Sequence, residues 1–394
     1  MVFLKELNMK RILLASLAFL VAVGSVAVAG EANEIAALRD QVNALSERIA
    51  ALEDGGGDGA SWADKIKWGG SFRYRHEMIK MEGVHENHRH RLQAKLGVTA
   101  SVRENVDVVI QLASGMNGLG SGTSTDATFD NAAATKNINL DLAFVKWVPG
   151  DVIVLAGKMS NPFFRPGGTE VIWDDDITPE GIGMAYATPL GDAELFVTAG
   201  GVVVDERAQD DAIAVGVQAG LKTEVADGAT VIVGGTYYDF GAMKGRAPLV
   251  AVGNTVDGAG NYAEDFDLIE GFVQVETTVG DFPVAVFGDY VVNNSSYNNG
   301  KAYLIGFAIG KCKAPGSKAF RYDYRRVQAN AVVGAVCDSN FVGGGTNGQG
   351  HEIGFDYQVA TNIKAGVTVF ATDAYQNAPN EDYERVQFDI KFRF

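Results

Sequence analysis

Charged side chains in this sequence recur at multiples of two. Arg73 and Arg75 keep that spacing, as do Arg89, Arg91 and Lys95. So do Arg321, Asp323 and Arg325, and then Arg385, Asp389, Lys391 and Arg393. Even spacing puts such residues on one face of an extended strand. A row of guanidinium and ammonium groups supplies no nucleophile or base, but it can guide anions. A second group lies in segment 161–180, where Glu170, Trp173, Asp174, Asp175, Asp176 and Glu180 follow Phe163, Phe164 and Arg165. Acids so placed are solvated, hold a hard cation such as Ca²⁺, or face a basic surface. A third group is His85, His88 and His90. His88 and His90, at i and i+2, share a strand face and could share a metal, but the spacing alone assigns them none. Cys312 and Cys337 make no disulfide framework and are expected at opposite rims of the fold. No G-x-S-x-G, H-E-x-x-H or C-x-x-C-H occurs, so the reading is non-enzymatic and calls for no metal or cofactor.

The elements that hold these residues are strands. In the last thirteen residues, Val386, Phe388, Ile390, Phe392 and Phe394 alternate with Arg385, Gln387, Asp389, Lys391 and Arg393. A period of two gives one apolar and one charged face. The same period places strands at 65–80, 88–103, 106–116, 138–148, 152–160, 181–190, 193–205 and 212–225. Further strands fall at 229–241, 267–279, 283–294, 301–313, 318–330, 350–360, 363–374 and 382–394. Tight turns such as Gly191-Asp192 and Gly280-Asp281 alternate with long polar connections, among them 117–137, 161–180, 242–266 and 331–349. Short turns at one rim and long loops at the other are the mark of a transmembrane antiparallel barrel. The expected fold is therefore all-β, an outer-membrane β-barrel of about sixteen strands over 65–394, each strand about 9–11 residues or longer. In it the charged faces line a wet interior. The formal charge of −16 argues against a nucleic-acid partner.

The first 64 residues differ in pattern. Met9-Lys10-Arg11, an apolar run from Ile12 to Val23, and Ala27-Val28-Ala29 read as a signal peptide over 1–29, with Met9 as the start. Over 30–54, Ile35, Leu38, Val42, Leu45, Ile49 and Leu52 form a heptad seam for oligomerisation. β-Branched residues at a and Leu at d favour dimers, and three heptads are too short to be stable alone. A Gly-rich linker spans 55–64. An even strand count puts both barrel ends at the short-turn rim, so this helix is expected in the periplasm.

With its signal peptide, short coiled coil and barrel, the chain resembles a family of Gram-negative putative porins. The pieces that carry the resemblance are Gly157 to Phe163 running into Trp173 to Gly181, Gly288-Asp289-Tyr290, Lys301 to Lys313, Tyr322 to Arg326, and His351 to Tyr357. The resemblance implies passive diffusion of small hydrophilic solutes, and ion transport, across the outer membrane. Phe394 resembles the terminal assembly signal of such barrels. By analogy with trimeric general porins, a homotrimer is expected rather than a dimer, and segment 161–180 is expected to fold inward as a constriction. Its acids would face a basic wall made of Arg73, Arg75, Arg89, Arg91, Lys95, Arg321, Arg325, Arg385, Lys391 and Arg393. Expected partners are outer-membrane lipid, other copies of the chain, solutes, and peptidoglycan through the coiled coil. Two other functions fit the same pattern: a barrel that tethers the envelope, and a sheath for an electron-transfer partner, for which the barrel is short.

Overall fold

The computed structural model describes residues 62–83, 85–115, 124–208, 210–250, 252–375 and 381–394. The expected signal peptide, coiled coil and all but the end of the linker lie outside these residues. Trp62–Lys65 forms one 3₁₀ turn. The strands are β1 (Ile66–Met81), β2 (Asn87–Arg103), β3 (Val106–Gly115), β4 (Ala127–Thr128), β5 (Asn137–Trp147), β6 (Val152–Lys158), β7 (Glu180–Leu190), β8 (Ala193–Asp205) and β9 (Ala212–Ala226). They continue as β10 (Ala229–Phe240), β11 (Phe266–Val279), β12 (Phe282–Asn293), β13 (Lys301–Gly310), β14 (Lys318–Val327), β15 (Gly348–Ala360), β16 (Ile363–Ala374) and β17 (Glu381–Arg393).

Long strands adjacent in sequence pair antiparallel, for example β7 with β8 and β16 with β17. β17 also pairs with β1, from Ser71↔Arg393 to Met81↔Tyr383, which closes the sheet. The result is a barrel of sixteen long strands in one antiparallel ladder. Closure leaves no strand edge unpaired in lipid, where an unpaired peptide group would cost several kcal/mol. Each expected strand is present, with ends shifted by three residues or fewer. β4 was not expected: it pairs Ala127 and Thr128 with Leu92 and Arg91, so part of the second long loop is built into the sheet beside β2.

The outward face is apolar. Ile182 and Met184 on β7, Ile213, Val215 and Val217 on β9, and Ile269, Val273 and Val275 on β11 are all exposed on the same side of the sheet. That surface suits hydrocarbon. The inward face is not charged throughout. From β9 to β13 it carries Ala212, Ala214, Tyr238, Phe240, Phe266, Leu268, Phe287, Val291, Ala302 and Leu304, all buried. These strands are apolar on both faces in their outer halves, and loops fill the interior beside them.

At the seam, Phe394 N–H donates to the Gly70 carbonyl (3.1 Å) and Gly70 N–H to the Phe394 carbonyl (2.9 Å). The Phe394 ring lies where a Cβ on Gly70 would stand, 2.6 Å from that position. Deleting Phe394 removes both bonds and the ring. The expected result is several-fold less folded barrel in the outer membrane, read as the heat-modifiable band on a gel. An unchanged yield would show that the seam closes without it.

Candidate functional site

One wall of the interior is built by β1, β2 and β17. Period two aims Arg73, Arg75, Glu77, Arg89, Arg91, Arg385, Asp389 and Lys391 inward. The wall carries its own counter-charges. Arg75 grips Asp389 with two bonds, Nε to Oδ1 at 2.7 Å and Nη2 to Oδ2 at 2.8 Å. Glu77, fully buried, meets Arg385 at 2.5 Å and Arg89 and Arg91 at 3.2 Å each. Lys391 lies 3.4 Å from Asp389. A further acid reaches the wall from the second long loop: Asp126 meets Arg73 at 2.5 Å, Arg91 at 3.2 Å and Arg75 at 3.6 Å. Burial raises the Asp126 carboxyl, but Arg73, Arg75 and Arg91 outweigh it and hold it below the ordinary carboxylate range.

Loop 159–179 lies inside the barrel against the opposite wall. Gln218 of β9 clamps its backbone: Phe164 N–H donates to Gln218 Oε1 (2.8 Å), and Gln218 Nε2 donates to the Phe164 carbonyl (2.9 Å) and to Thr236 Oγ1 (2.9 Å). Gly167 N–H donates to Gln274 Oε1 of β11 (2.5 Å), and Arg321 Nη1 of β14 donates to the Gly167 carbonyl (2.5 Å). Gly167 has φ of +61°, and a Cβ there would strike the Phe287 ring, so the residue type lets the loop press on the wall. Phe163 packs edge-on to Tyr238, and Trp173 packs against Tyr238 and Phe240. Together with Met159, Val171, Ile172 and Ile177, these side chains cover the apolar inner face described above.

Loop 328–347 also enters the barrel and is sewn to the first. Asp174 N–H donates to the Val336 carbonyl (2.9 Å), Ser339 N–H to Asp174 Oδ2 (2.7 Å) and Asp338 N–H to the Glu170 carbonyl (3.2 Å). Arg325 anchors it from β14, with Nη1 2.7 Å from Asp338 Oδ2 and the guanidinium 4.6 Å from the Phe341 ring centre. Arg325 also pairs with Asp323 and Glu352. Oxygens of Glu170, Asp174 and Asp338 lie within 4.8 Å of one another. Burial, then Asp338 and Asp176, push the Asp174 carboxyl up to about 6. Burial, then Asp338, raise Glu170 well above its ordinary value. Such a trio can share protons or hold a hard cation.

Between the two sides is a cavity of about 700 Å³. Six basic groups line it: Arg73, Arg75, Arg89, Arg91, Arg385 and Lys391. Seven acids line it too, namely Asp126, Glu170, Asp174, Asp175, Asp176, Asp338 and Glu352.

A family model described as putative porin matches residues 77–263 and 290–394. The chain belongs to the putative porin family. No protein of curated function matches it. Among solved structures, Salmonella typhi OmpF in complex with daunomycin has a TM-score of 0.50 at 12% identity, with 84% of this chain and 97% of that one covered. A mutant of the Rhodopseudomonas blastica porin has a TM-score of 0.47 at 14% identity, covering 84% and 100%. Vibrio cholerae OmpT lacking its loop L8 has 0.47 at 12%, covering 84% and 99%. At these identities the OmpF likeness is one of fold. Membership of a porin family points to a channel in the outer membrane rather than to an enzyme.

Several residues named from sequence fall elsewhere in this putative porin. Lys95 pairs with Asp141 (3.2 Å) and does not line the cavity. Arg321 and Arg325 stand on β14, separated from β17 by β15 and β16, and hold the two loops rather than line the cavity. Arg393 is exposed at the short-turn rim, where its N–H donates to the Asn362 carbonyl. Trp173 is buried under its own loop. Glu180 shares the outward face of β7 with Ile182 and pairs with Lys158 at 2.9 Å. Asp175 pairs with Arg165 of its own loop, and Asp176 accepts from Thr125 Oγ1 at 3.1 Å. The acids that touch the arginines of β1, β2 and β17 are Glu77, Asp389 and Asp126. Asp126 carries no signal in the sequence, because the strand beside it, Ala127–Thr128, is only two residues long. The sequence reading also passed over Asp338, which sits in a loop rich in glycine.

Gln218 is fully buried, and Gln218→Leu would strand the Phe164 N–H and carbonyl without partners. That costs about 1–3 kcal/mol per buried group. The expected outcome is a barrel of normal yield whose single-channel current is larger and noisier. A trace identical to wild type would show that the clamp does not hold the loop.

Proposed function

We propose that this putative porin gives small hydrophilic solutes a passive path across the outer membrane, and that loop 159–179 narrows the path opposite β1, β2 and β17. The observation that carries this reading is the cavity lined by charges of both signs between loop acids and wall arginines. Fixed, opposed charges in a narrow wet gap orient dipolar solutes and slow apolar ones. Purified protein in a planar bilayer tests it. Ohmic conductance is expected, and a barrel that never conducts would favour the tether instead.

Selectivity is expected to depend on pH. Basic and acidic groups around the cavity are nearly balanced when all are ionised. Asp174 and Glu170 take up protons at higher pH than ordinary carboxyls. Lowering the pH from about 7.5 to about 5 therefore removes negative charge while the arginines stay charged. The reversal potential should move toward anion preference. Replacing Asp174, Asp175 and Asp176 with Asn should produce a similar move at about pH 7.5 and leave a smaller pH response. If neither changes the reversal potential, these acids do not face the permeating ions.

We also propose a cleaved signal over 1–29 and a homotrimer joined by a parallel coiled coil over 30–54 in the periplasm, free to contact peptidoglycan. The heptad seam and the barrel's size support this reading. Val42→Lys with Leu45→Lys should lower the mass in mild detergent without loss of the heat-modifiable barrel. A mass that is monomeric already in the wild type would sink the trimer.

A further inference from the structure

Three histidines stand together on the outward face of the barrel, near the long-loop rim and away from the cavity. His88 and His90 alternate with the inward Arg89 and Arg91 on β2. His76 alternates with the inward Arg75 and Glu77 on the neighbouring β1. The ring centre of His76 lies 4.6 Å from that of His90 and 5.7 Å from that of His88. Two imidazoles at i and i+2 on one strand, with a third from the next strand, present three ligands from one side of a sheet. Tetrahedral zinc sites with an open fourth position take three such ligands.

As placed, the nitrogens of the three rings are not all within 4.8 Å of one another, so one ion is shared only after His88 turns. A ligating imidazole is oriented by a partner on its other ring nitrogen. Tyr74 Oη lies 2.6 Å from His90 Nδ1 and leaves His90 Nε2 free to ligate. His88 Nε2 lies 3.2 Å from a carboxylate oxygen of Glu86. His88 is exposed, so it can leave Glu86 and turn toward the other two rings. His76 Nδ1 is buried and has no hydrogen-bond partner. A buried ring nitrogen with no partner needs an explanation, and a bound ion provides one. The alternatives are weaker. A core role is ruled out by the exposure of His88 and His90. An aromatic girdle residue at this height would ordinarily be Tyr or Trp, as Tyr74 is.

We propose that His76, His88 and His90 form a binding site for a divalent transition metal, Zn²⁺ being the probe, on the outer surface of the barrel. Tyr74 acts as the positioning residue for His90. Imidazole ligands select zinc, copper and nickel over magnesium and calcium. The site is separate from the carboxylate trio of Glu170, Asp174 and Asp338 inside the barrel, which suits hard cations instead.

Untagged, full-length protein in detergent, stripped with EDTA and dialysed, is titrated with ZnCl₂ in a calorimeter. One equivalent is expected to bind with a dissociation constant below about 10 µM. His76→Ala and His90→Ala should each weaken binding by about tenfold or more, and Tyr74→Phe by less. Glu170→Gln with Asp174→Asn should leave it unchanged. All variants are checked for the heat-modifiable barrel, and the histidine variants should conduct as wild type because these side chains lie outside the pore. Binding that survives His76→Ala, that is lost in the Glu170–Asp174 variant, or that does not saturate by about 100 µM would overturn the assignment.

Discussion

A strand that crosses hydrocarbon cannot leave a peptide N–H or carbonyl unpaired, and everything else in this molecule depends on that constraint. It forces closure of β1 on β17 and fixes a register that carries Arg73, Arg75 and Glu77 opposite Lys391, Asp389 and Gln387. The charged wall is thus a by-product of sheet closure. Once the first and last strands are neighbours, basic residues from distant parts of the sequence have to share one surface. They can do so because acids are interleaved among them. Glu77, in contact with three arginines, is the centre of that arrangement, since a buried charge is tolerated only when paired.

The interior is divided rather than uniform. On one side, β1, β2 and β17 present charges to a wet cavity. On the other, β9 to β13 turn apolar side chains inward, and loops 159–179 and 328–347 pack onto them. This second side is organised as a soluble protein is, with a buried apolar layer and a few polar anchors. The Gln218 clamp, the Gln274 bond and Arg321 hold the backbone of loop 159–179, while Arg325 holds loop 328–347 through the side chains of Asp338 and Phe341.

The period of two made the strands legible, and strand closure made the arginine wall legible. The alternation in Val386 to Phe394 is strict because water and lipid lie on opposite sides of β17. It did not reveal that β9 to β13 are apolar on both sides. Ala212, Ala214 and Gly216 are small and carry little signal, while Tyr238 and Phe240 alternate with Tyr237 and Asp239 and look like a girdle. Nor could spacing show which acid meets which base. Asp126 reaches the wall because β4 brings its loop into the sheet, a two-residue pairing too short to leave a pattern. His76 was missed for a similar reason: it joins His88 and His90 only across two strands.

The doubly apolar strands carry a consequence for assembly. Before the barrel forms, the two faces of β9 to β13 are nearly equal in hydrophobicity, and a slip of one residue exchanges them. Hydrophobicity alone would hardly oppose that exchange. What opposes it is one band of polar groups, Gln218, Thr236, Glu270, Gln274 and Asp289, all buried on the inward side. Turned outward, each would enter lipid without a partner, at several kcal/mol apiece. These side chains therefore act as a polarity mark that tells the folding chain which surface is the inside. Their identity is constrained by the register errors they forbid as much as by the bonds they make.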